Sequence, residues 1–494
     1  MTRPAFLTAL LRVRPATVAH QLARPEVAWS LGVAFAAFLV RLPLMTRIHD
    51  AYPGGDSEQY VRLGNQLFSS GLSDPASAIR PPGYPLFLAL TNVFPGRIED
   101  TGVVIQLLLG SALAGAIVYF AWSLFGAFPA VFTGLLVAFA VPNVELDVLL
   151  LSDGLLGVLI CVCCAVLIRA VFEPDRRRQI RMLVLLGVLI AAATYVKPVG
   201  HALLLAPILP LALVTRSLRQ TARSAAIVAG VALLLTIPWM ARNASLYGSF
   251  SMSVQSGATL FARAFETDGL PPPTDRPYGR ELRDFQAKNP GVRLSSGFHD
   301  ELVRRGLDQT KANGVQRDLA LTAIRRDPVA VAGGVIDSVV NAYTDVAGDY
   351  GQGRKVMDNI VRERPTLVSV ELTRTGLGIG EALRGLWFLL SLNGLAGFLW
   401  FVGAGRRSRI ALASIASVWF SVALATAILH GGTFRYSASL APLVWLLGSL
   451  GAVTVLRLGA QFVAPRWRDR LMELTARGLE PAPTPGQQPP PASG

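Results

Sequence analysis

The sequence has few charged residues and few cysteines. Only 16% of its 494 residues are charged, whereas a soluble domain of ordinary composition carries roughly 25%. Hydrophobic residues make up 52% and the mean hydropathy is +0.45, which excludes a water-soluble multidomain protein and, for most of the chain, intrinsic disorder. The three cysteines fall in one apolar run, at Cys161, Cys163 and Cys164. That spacing excludes a disulfide scaffold and matches no zinc site, so the composition indicates a polytopic membrane protein.

Ten apolar runs approach the roughly 20 residues that a helix needs to cross a bilayer. Tight turns near residues 125–129 and 197–198 leave this count open by two. The predicted spans are residues 27–46, 102–125, 127–143, 149–172, 182–196, 199–214, 225–241, 384–404, 409–429 and 435–457. We therefore predict an all-α polytopic membrane protein with about ten transmembrane helices.

Basic residues mark one side of the predicted membrane domain. The N-terminal segment, the loops at 173–181, 215–224 and 403–410, and the C-terminal segment together hold 19 basic and 6 acidic residues, or +13 of the net charge of +14. With ten spans all five segments lie on the same side, which the positive-inside rule assigns to the cytoplasm. The charge therefore indicates orientation rather than nucleic-acid binding, which would need one basic soluble face.

The predicted organisation follows from these spans. It comprises a cytoplasmic basic N-terminus at 1–26, a transmembrane core at 27–241 with an outer loop at 47–101, a periplasmic loop region at 242–383, C-terminal transmembrane helices at 384–457, and a Pro-rich cytoplasmic tail at 458–494. We see no internal repeat, and inverted repeats are what would indicate a secondary transporter.

The second outer region contains predicted juxtamembrane helices. Between His299 and Tyr343 the sequence predicts two helices that are split at Asp327-Pro328, because proline disfavours helix in the residue before it. An amphipathic stripe is suited to lying on the membrane or on the other outer loop. Its apolar positions are Leu302, Leu307, Val315, Leu319 and Ile324.

Ionisable residues close to the membrane gather at the outer ends of the spans. Such residues are functional candidates because each is costly to place there. They are Glu145, Asp147, Asp153, Lys197 and Arg435, while Arg41 is interpreted as snorkelling from a span end. We interpret Glu145 and Asp147, which follow Pro142, as solvated turn acids. All five are predicted to form one layer with the first outer loop.

The first outer loop offers an acid and a rigid bend. Asp56 follows a glycine pair and precedes an amphipathic helix, so it is either the cap of that helix or a reactive carboxylate. The same loop contains Arg80-Pro-Pro-Gly-Tyr-Pro85. Pro-Pro-Gly would hold Arg80 and Tyr84 in place, although taken alone it predicts only a turn.

A family resemblance emerges from the order of these motifs. After Asp56 and the Arg80 motif come Leu151-Ser-Asp153, Thr194-Tyr-Val-Lys-Pro198, Ile237-Pro-Trp-Met-Ala-Arg-Asn243, Gly257 and Phe434-Arg-Tyr436. Over roughly residues 27–450 the chain resembles the GT-C glycosyltransferases that use polyprenyl-phosphate sugars. Within them it is similar to the bacterial branch of the dolichyl-phosphate-mannose protein mannosyltransferase family, which includes the lipid A aminoarabinose transferases.

The chain departs from this family in its acids. The family often has two adjacent acids in the first loop, whereas Ser57 separates Asp56 from Glu58 here. The second acid is often glutamate, and here it is Asp153. The 242–383 region also resembles no appended sugar-binding domain.

The resemblance implies a GT-C fold and a sugar carried on an isoprenoid phosphate. The phosphate leaves as a stable anion, so fixed cations stabilise its developing charge, and one carboxylate takes the proton of the acceptor. Attack of the acceptor on the face opposite the leaving phosphate implies inversion of configuration at the anomeric carbon. We expect Asp56 to be the base and Asp153 to orient the acceptor or hold a cation. Candidates for the lipid-linked phosphate are Lys197, Arg242, Arg435 and Tyr436, and Arg80 and Tyr84 would shape the acceptor entrance.

Some alternatives stay open for these residues. Lys197, Arg242 and Arg435 could instead be membrane-interface anchors. Asp56 and Asp153 could share a divalent cation through waters, but lysine and arginine already neutralise phosphate, so we predict no metal.

The sequence therefore predicts an inverting glycosyltransferase that moves a hexosyl or pentosyl unit to a protein, lipid or envelope glycan. The arginine excess, with only four lysines among 46 basic residues, favours a GC-rich bacterium, its inner membrane and a periplasmic-side site. A transporter or flippase of lipid-linked saccharide is the alternative, although it should have ionisable residues at mid-membrane depth. A family member that binds the carrier lipid without catalysis is a third possibility.

Overall fold

The computed structural model describes residues 24–46, 56–69, 76–344, 375, 378, 405–430 and 434–460. Over these ranges every regular element is helical. In chain order the α-helices are α1 (Pro25–Arg41), α2 (Asp56–Gln66), α3 (Ala76–Ile79), α4 (Gly83–Thr91), α5 (Ile98–Phe125), α6 (Ala127–Phe139), α7 (Val141–Val148), α8 (Ser152–Phe172), α9 (Arg176–Val196), α10 (Ile208–Thr215), α11 (Leu218–Tyr247), α12 (Ser256–Ala262), α13 (Gly279–Lys288), α14 (Leu294–Arg304), α15 (Gln309–Arg326), α16 (Pro328–Thr344), α17 (Arg406–His430) and α18 (Phe434–Ala460).

The predicted all-α polytopic fold is confirmed. In the part of the chain that the structure describes, 8 helical segments are long and apolar enough to cross a membrane, or up to 9 if α6 and α7 form one broken span. The predicted span at 127–143 is this bent pair, whose axes differ by 51°. The predicted span at 199–214 is a 3₁₀ turn followed by α10, and the predicted span at 384–404 lies outside the described residues.

Small residues let the spanning helices approach one another closely. A Cβ at Gly115 of α5 would lie 2.6 Å from the Ser30 carbonyl oxygen of α1, and one at Gly157 of α8 would lie 3.1 Å from the Ser439 carbonyl oxygen of α18. Close packing of this kind drives helix association in lipid, where the hydrophobic effect between helices is absent. The three cysteines are buried and free on α8, as expected for packing residues.

The outer region between α12 and α15 has a hydrophobic core of its own. Phe261, Phe298, Leu302 and Leu319 are at most 1% exposed in it. The predicted split at Asp327-Pro328 is confirmed, because α15 ends at Arg326 and α16 begins at Pro328. The apolar stripe, however, packs into this core rather than on the membrane, because α14 and α15 face each other and α12 covers them.

Three interpretations of charged residues near the membrane were wrong. Arg41 does not snorkel, because its side chain is 0% exposed and its Nε donates to Asp147 Oδ2 at 2.9 Å. Asp147 and Glu145 are likewise buried rather than solvated. The bend between α6 and α7 turns these acids inward against α5, where Gly110 leaves room for the Asp147 carboxylate.

Candidate active site

A glycine allows the first outer loop to contact the end of α9 closely. α3 ends at Ile79 and Arg80 follows it, after which Pro81 and Pro82 lead into α4. A Cβ at Gly83 would lie 2.5 Å from the carbonyl carbon of Tyr195, a distance that no side chain tolerates. Pro198 restricts Lys197 to an extended conformation and ends α9 there. The Arg80 motif and the Lys197 motif are therefore direct neighbours.

Asp56 and Arg80 form the first carboxylate–cation pair of the site. Asp56 lies in the first turn of α2 and its Oδ1 accepts a hydrogen bond from Arg80. The guanidinium of Arg80 also donates to Gln59 Oε1 at 2.9 Å and lies 5.3 Å from the centre of the Tyr60 ring. The Asp56 side chain keeps 33% of its surface exposed, so this carboxylate is oriented and still reachable. Glu58 is exposed and does not join the pair.

Asp153 and Lys197 form the second carboxylate–cation pair. Lys197 Nζ donates to Asp153 Oδ1 at 2.6 Å, and the two side chains are 13% and 0% exposed. The ammonium also lies 3.9 Å from the centre of the Tyr436 ring, a cation–π contact. Asp153 is in the first turn of α8, where the helix dipole favours a carboxylate. Three separate motifs of the sequence therefore meet here.

A hydrogen bond joins the two pairs. The hydroxyls of Tyr60 on α2 and Ser152 on α8 lie 3.1 Å apart. Tyr60 follows Asp56 by one helical turn, and Ser152 directly precedes Asp153. This contact could not be predicted from the sequence, because Tyr60 fits the apolar stripe of α2 and a single serine before an acid is a common helix start.

Tyr84 is buried behind Tyr60. Its side chain is 0% exposed, its ring lies 4.8 Å from that of Tyr60 at 77°, and its hydroxyl donates to Gln106 Oε1. Gln106 Nε2 in turn donates to the carbonyls of Asp147 and Leu149, at 3.1 and 2.8 Å. A role for Tyr84 in substrate binding remains a prediction, while its contacts make it a support for the site. Gln106 was missed because a lone glutamine in an apolar span carries no motif.

Arg242 lies beside α3, the helix that ends just before Arg80. One of its guanidinium nitrogens donates to Ser77 Oγ at 3.0 Å, and the guanidinium lies 4.5 Å from the centre of the Trp239 ring. The chain after α11 continues this contact, since Val254 N donates to the Ala78 carbonyl at 2.9 Å. Arg242 therefore lies close to the segment that carries Arg80. The side chain of Arg435 lies outside the described residues.

A small cleft of about 20 Å³ lies beside Asp153. Arg41, Asn143, Asp147 and Ser439 line it together with Asp153. Leu113, Leu146 and Val158 also line it, so Asp153 borders both polar and apolar side chains. Within the described ranges, no group of three or more His, Cys, Asp or Glu side chains is arranged to hold a metal ion.

Comparison with known families supports the resemblance inferred from the motifs. The model of the dolichyl-phosphate-mannose-protein mannosyltransferase family matches residues 79–241. This third of the chain includes Arg80, Tyr84, Asp153 and Lys197. The match confirms the family resemblance there and supports the class of membrane glycosyltransferases that use polyprenyl-phosphate sugars. No curated protein matches the chain.

Two solved structures are similar over most of the chain. The oligosaccharyltransferase AglB from Archaeoglobus fulgidus, in complex with an inhibitory peptide and a dolichol-phosphate, is 13% identical over 92% of this chain, with a TM-score of 0.46. ArnT from Cupriavidus metallidurans, bound to undecaprenyl phosphate, is 18% identical over 90%, with a TM-score of 0.37. This chain covers 55% of the former and 82% of the latter. Both similarities are distant.

Proposed function

We propose that this chain is an inverting membrane glycosyltransferase that moves a hexosyl or pentosyl unit from a polyprenyl-phosphate carrier to an acceptor, with Asp56 as general base. The observation that carries the proposal is the pair of carboxylate–cation contacts, Asp56–Arg80 and Asp153–Lys197, linked at the outer ends of the helices. The family match over residues 79–241 supports the donor class. The acceptor would be a protein, a lipid or an envelope glycan.

The cations suit the phosphate that leaves. As the bond between the anomeric carbon and the phosphate oxygen breaks, its electron pair stays on the phosphate, and positive groups fixed nearby stabilise that charge. Lys197 is held in place by Asp153 and the Tyr436 ring. Arg242, supported by Trp239 and Ser77, offers a planar guanidinium suited to forked phosphate contacts.

The exposed carboxylate suits the acceptor. Asp56 is oriented by Arg80 and is the more accessible of the two acids. It would take the proton of the acceptor hydroxyl or amine as that atom forms its bond to the anomeric carbon. Attack from the face opposite the phosphate inverts that carbon. Asp153, buried against Lys197, would orient the bound groups.

The charge distribution supports a site on the periplasmic side of a bacterial inner membrane. α8 carries Asp153 in its first turn and ends at Phe172, beside the exposed arginines at Arg176 and Arg178. One membrane span thus separates the site from a basic loop, which the positive-inside rule places in the cytoplasm. Both chain termini would then be cytoplasmic.

Turnover of labelled polyprenyl-phosphate sugars tests the proposal. Membranes that contain the wild-type chain should consume one member of a small donor panel and label an acceptor in a total membrane extract. Asp56→Asn should lower this rate by roughly 10²- to 10⁴-fold, the usual contribution of general acid–base catalysis. Asp318→Asn, which changes an acid 76% exposed on α15, is the matched control.

Three results would contradict the proposal. Equal rates for wild type and Asp56→Asn would remove Asp56 as the base. Transbilayer movement of the labelled lipid by the wild-type chain without any transfer of its sugar would instead favour a flippase, and tight donor binding with neither activity would favour a non-catalytic binder.

A further inference from the structure

We propose that Tyr60 is a positioning residue of this site, whose hydrogen bond to Ser152 holds α2 against α8 and fixes the placement of Asp56 relative to Asp153. The inference rests on the proposed function for its catalytic consequence. Tyr60 is 3% exposed, so its hydroxyl is enclosed by protein and does not serve as a surface contact for substrate.

The location of Tyr60 is what gives it this role. α2 packs chiefly on α4 and α5, and the Tyr60 side chain extends that contact to the first residue of α8 at 3.1 Å. Asp56 precedes Tyr60 by one helical turn on α2. Asp153 directly follows Ser152 on α8. A single hydrogen bond therefore connects the backbones that carry the two carboxylates.

The ring of Tyr60 also supports the cation of the first pair. The Arg80 guanidinium lies 5.3 Å from its centre, while Arg80 holds Asp56. Tyr60 thus contacts an element of each part of the site: α8 through its hydroxyl and Arg80 through its ring face. The separate use of ring and hydroxyl makes the two contributions distinguishable by substitution.

Tyr84 and Gln106 hold Tyr60 from behind. The Tyr84 ring meets the Tyr60 ring edge to face, and Gln106 fixes the Tyr84 hydroxyl. The orientation of the Gln106 amide is determined by its partners, because the carbonyls of Asp147 and Leu149 accept only and must face its NH₂ group. Tyr84 and Gln106 form a satisfied hydrogen-bond network, which is the condition under which polar networks confer rigidity, and the Tyr60 ring packs against it.

Tyr60 and Tyr84 both stay protonated near neutral pH. Burial raises the pKa of Tyr60 above its usual value of 10.0 and raises the pKa of Tyr84 well above it. Both hydroxyls therefore remain protonated at neutral and mildly alkaline pH. Loss of the Tyr60 hydroxyl should change the rate without adding or removing a step in the pH–rate profile.

A double-mutant cycle on the hydroxyl pair tests the inference. Tyr60→Phe keeps the ring and removes the hydrogen bond, and Ser152→Ala removes its partner. Each should lower kcat by roughly ten-fold, the rate equivalent of one net hydrogen bond, with little change in the donor KM. The double variant should be no slower than either single one, because both remove the same contact.

The matched control is a second buried hydroxyl pair that lies away from the outer layer. Thr133 on α6 and Ser449 on α18 are both 0% exposed, and their hydroxyls are 2.9 Å apart. Thr133→Ala removes a comparable interhelical hydrogen bond and should leave kcat unchanged. A ten-fold loss of kcat in Thr133→Ala would show that removal of any buried interhelical hydrogen bond slows turnover. That result would overturn the specific role of Tyr60.

Hydrogen exchange tests the same contact without using activity. Backbone amides of α2 should exchange faster in Tyr60→Phe and in Ser152→Ala than in wild type, whereas those of α5 should not change. Unchanged exchange over residues 56–66 would overturn the inference even if no donor is turned over. Wild-type kcat retained by both single variants would overturn it while leaving the proposed function intact, whereas an inactive wild type would reject only the proposed function.

Discussion

The Asp153–Lys197 pair is the most enclosed ion pair of the candidate site. A buried pair gains little net stability, because the loss of hydration offsets most of its attraction, yet removal of one partner leaves an uncompensated charge. Asp153 is wholly buried and Lys197 is 13% exposed. Such a pair is better explained by a task for its charge than by stability, and under the proposed function that task is to hold Lys197 beside the departing phosphate.

The high cost of removing only one partner of this pair gives a prediction for Lys197. Lys197→Gln should destabilise the protein by roughly 3–5 kcal/mol, because Asp153 loses its cation. The double variant Asp153→Asn/Lys197→Gln should regain most of that stability, since two amides can share a neutral hydrogen bond, but it should not regain turnover. Thermal unfolding in detergent and the donor assay measure the two effects separately.

Lys288→Gln is the control for this prediction, because Lys288 is exposed on α13. It should change neither quantity. Recovery of turnover by the double variant would contradict the role of Lys197 as the phosphate ligand, and equal stability of the single and double variants would contradict the energetic argument.

Among the elements, the turn between α3 and α4 holds the two halves of the site together. Gly83→Ala would place a Cβ 2.5 Å from the Tyr195 carbonyl carbon and 2.6 Å from the Val196 nitrogen. Both are backbone atoms, so the segments must separate, at a cost of roughly 1–3 kcal/mol for overpacking. Arg80 would move away from Lys197, and we expect turnover to fall by at least ten-fold.

Gly230→Ala provides the comparison for this turn, because a Cβ at Gly230 of α11 would meet nothing within 4 Å. The alanine should stabilise that helix by roughly 0.5–1 kcal/mol and leave turnover unchanged. Unfolding temperature and donor turnover of both variants check the prediction. A Gly83→Ala protein with normal stability and rate would show that the close approach of the turn is not required.

The elements of this site differ in how far the sequence could predict them. The spanning helices, their order and the location of Asp153 and Lys197 at span ends follow from local signals, namely apolar runs, a proline that ends α9 and charges at span ends. The contacts of Tyr60, Gln106 and Arg41 do not, because each depends on which helix packs against which. Hydropathy is the same whether Arg41 snorkels or pairs with Asp147, and only the bend between α6 and α7 decides it.

At the scale of the whole molecule, a buried arginine connects the outer core to the helices of the membrane domain. Arg263 follows α12 in the outer core and is 0% exposed. Its Nε donates to Asp268 Oδ2 at 2.8 Å, and one terminal nitrogen donates to Ser338 Oγ on α16 and to the Ala427 carbonyl on α17, at 2.8 and 2.7 Å. These hydrogen bonds connect the outer core to the membrane domain.

This junction leads to a last prediction, in which its two charged partners respond unequally. Arg263→Met leaves the Asp268 charge unpaired and removes the donor to Ser338 and to the Ala427 carbonyl. The outer core should then pack less firmly on the membrane domain, so that backbone amides over residues 256–326 exchange faster. Burial raises the pKa of Asp268 in spite of Arg263, so its charged form is the costly one in the fold and Asp268→Asn should be milder. Because the pKa of Asp268 is raised in the folded state, the stability that this group contributes is greatest below its pKa in the unfolded chain. That stability is lost as the pH rises through the raised pKa of the folded state. Arg305→Met, which breaks an exposed pair with Glu301, should change nothing. Equal effects of the Arg263 and Asp268 variants would show that pairing, not desolvation, dominates this junction.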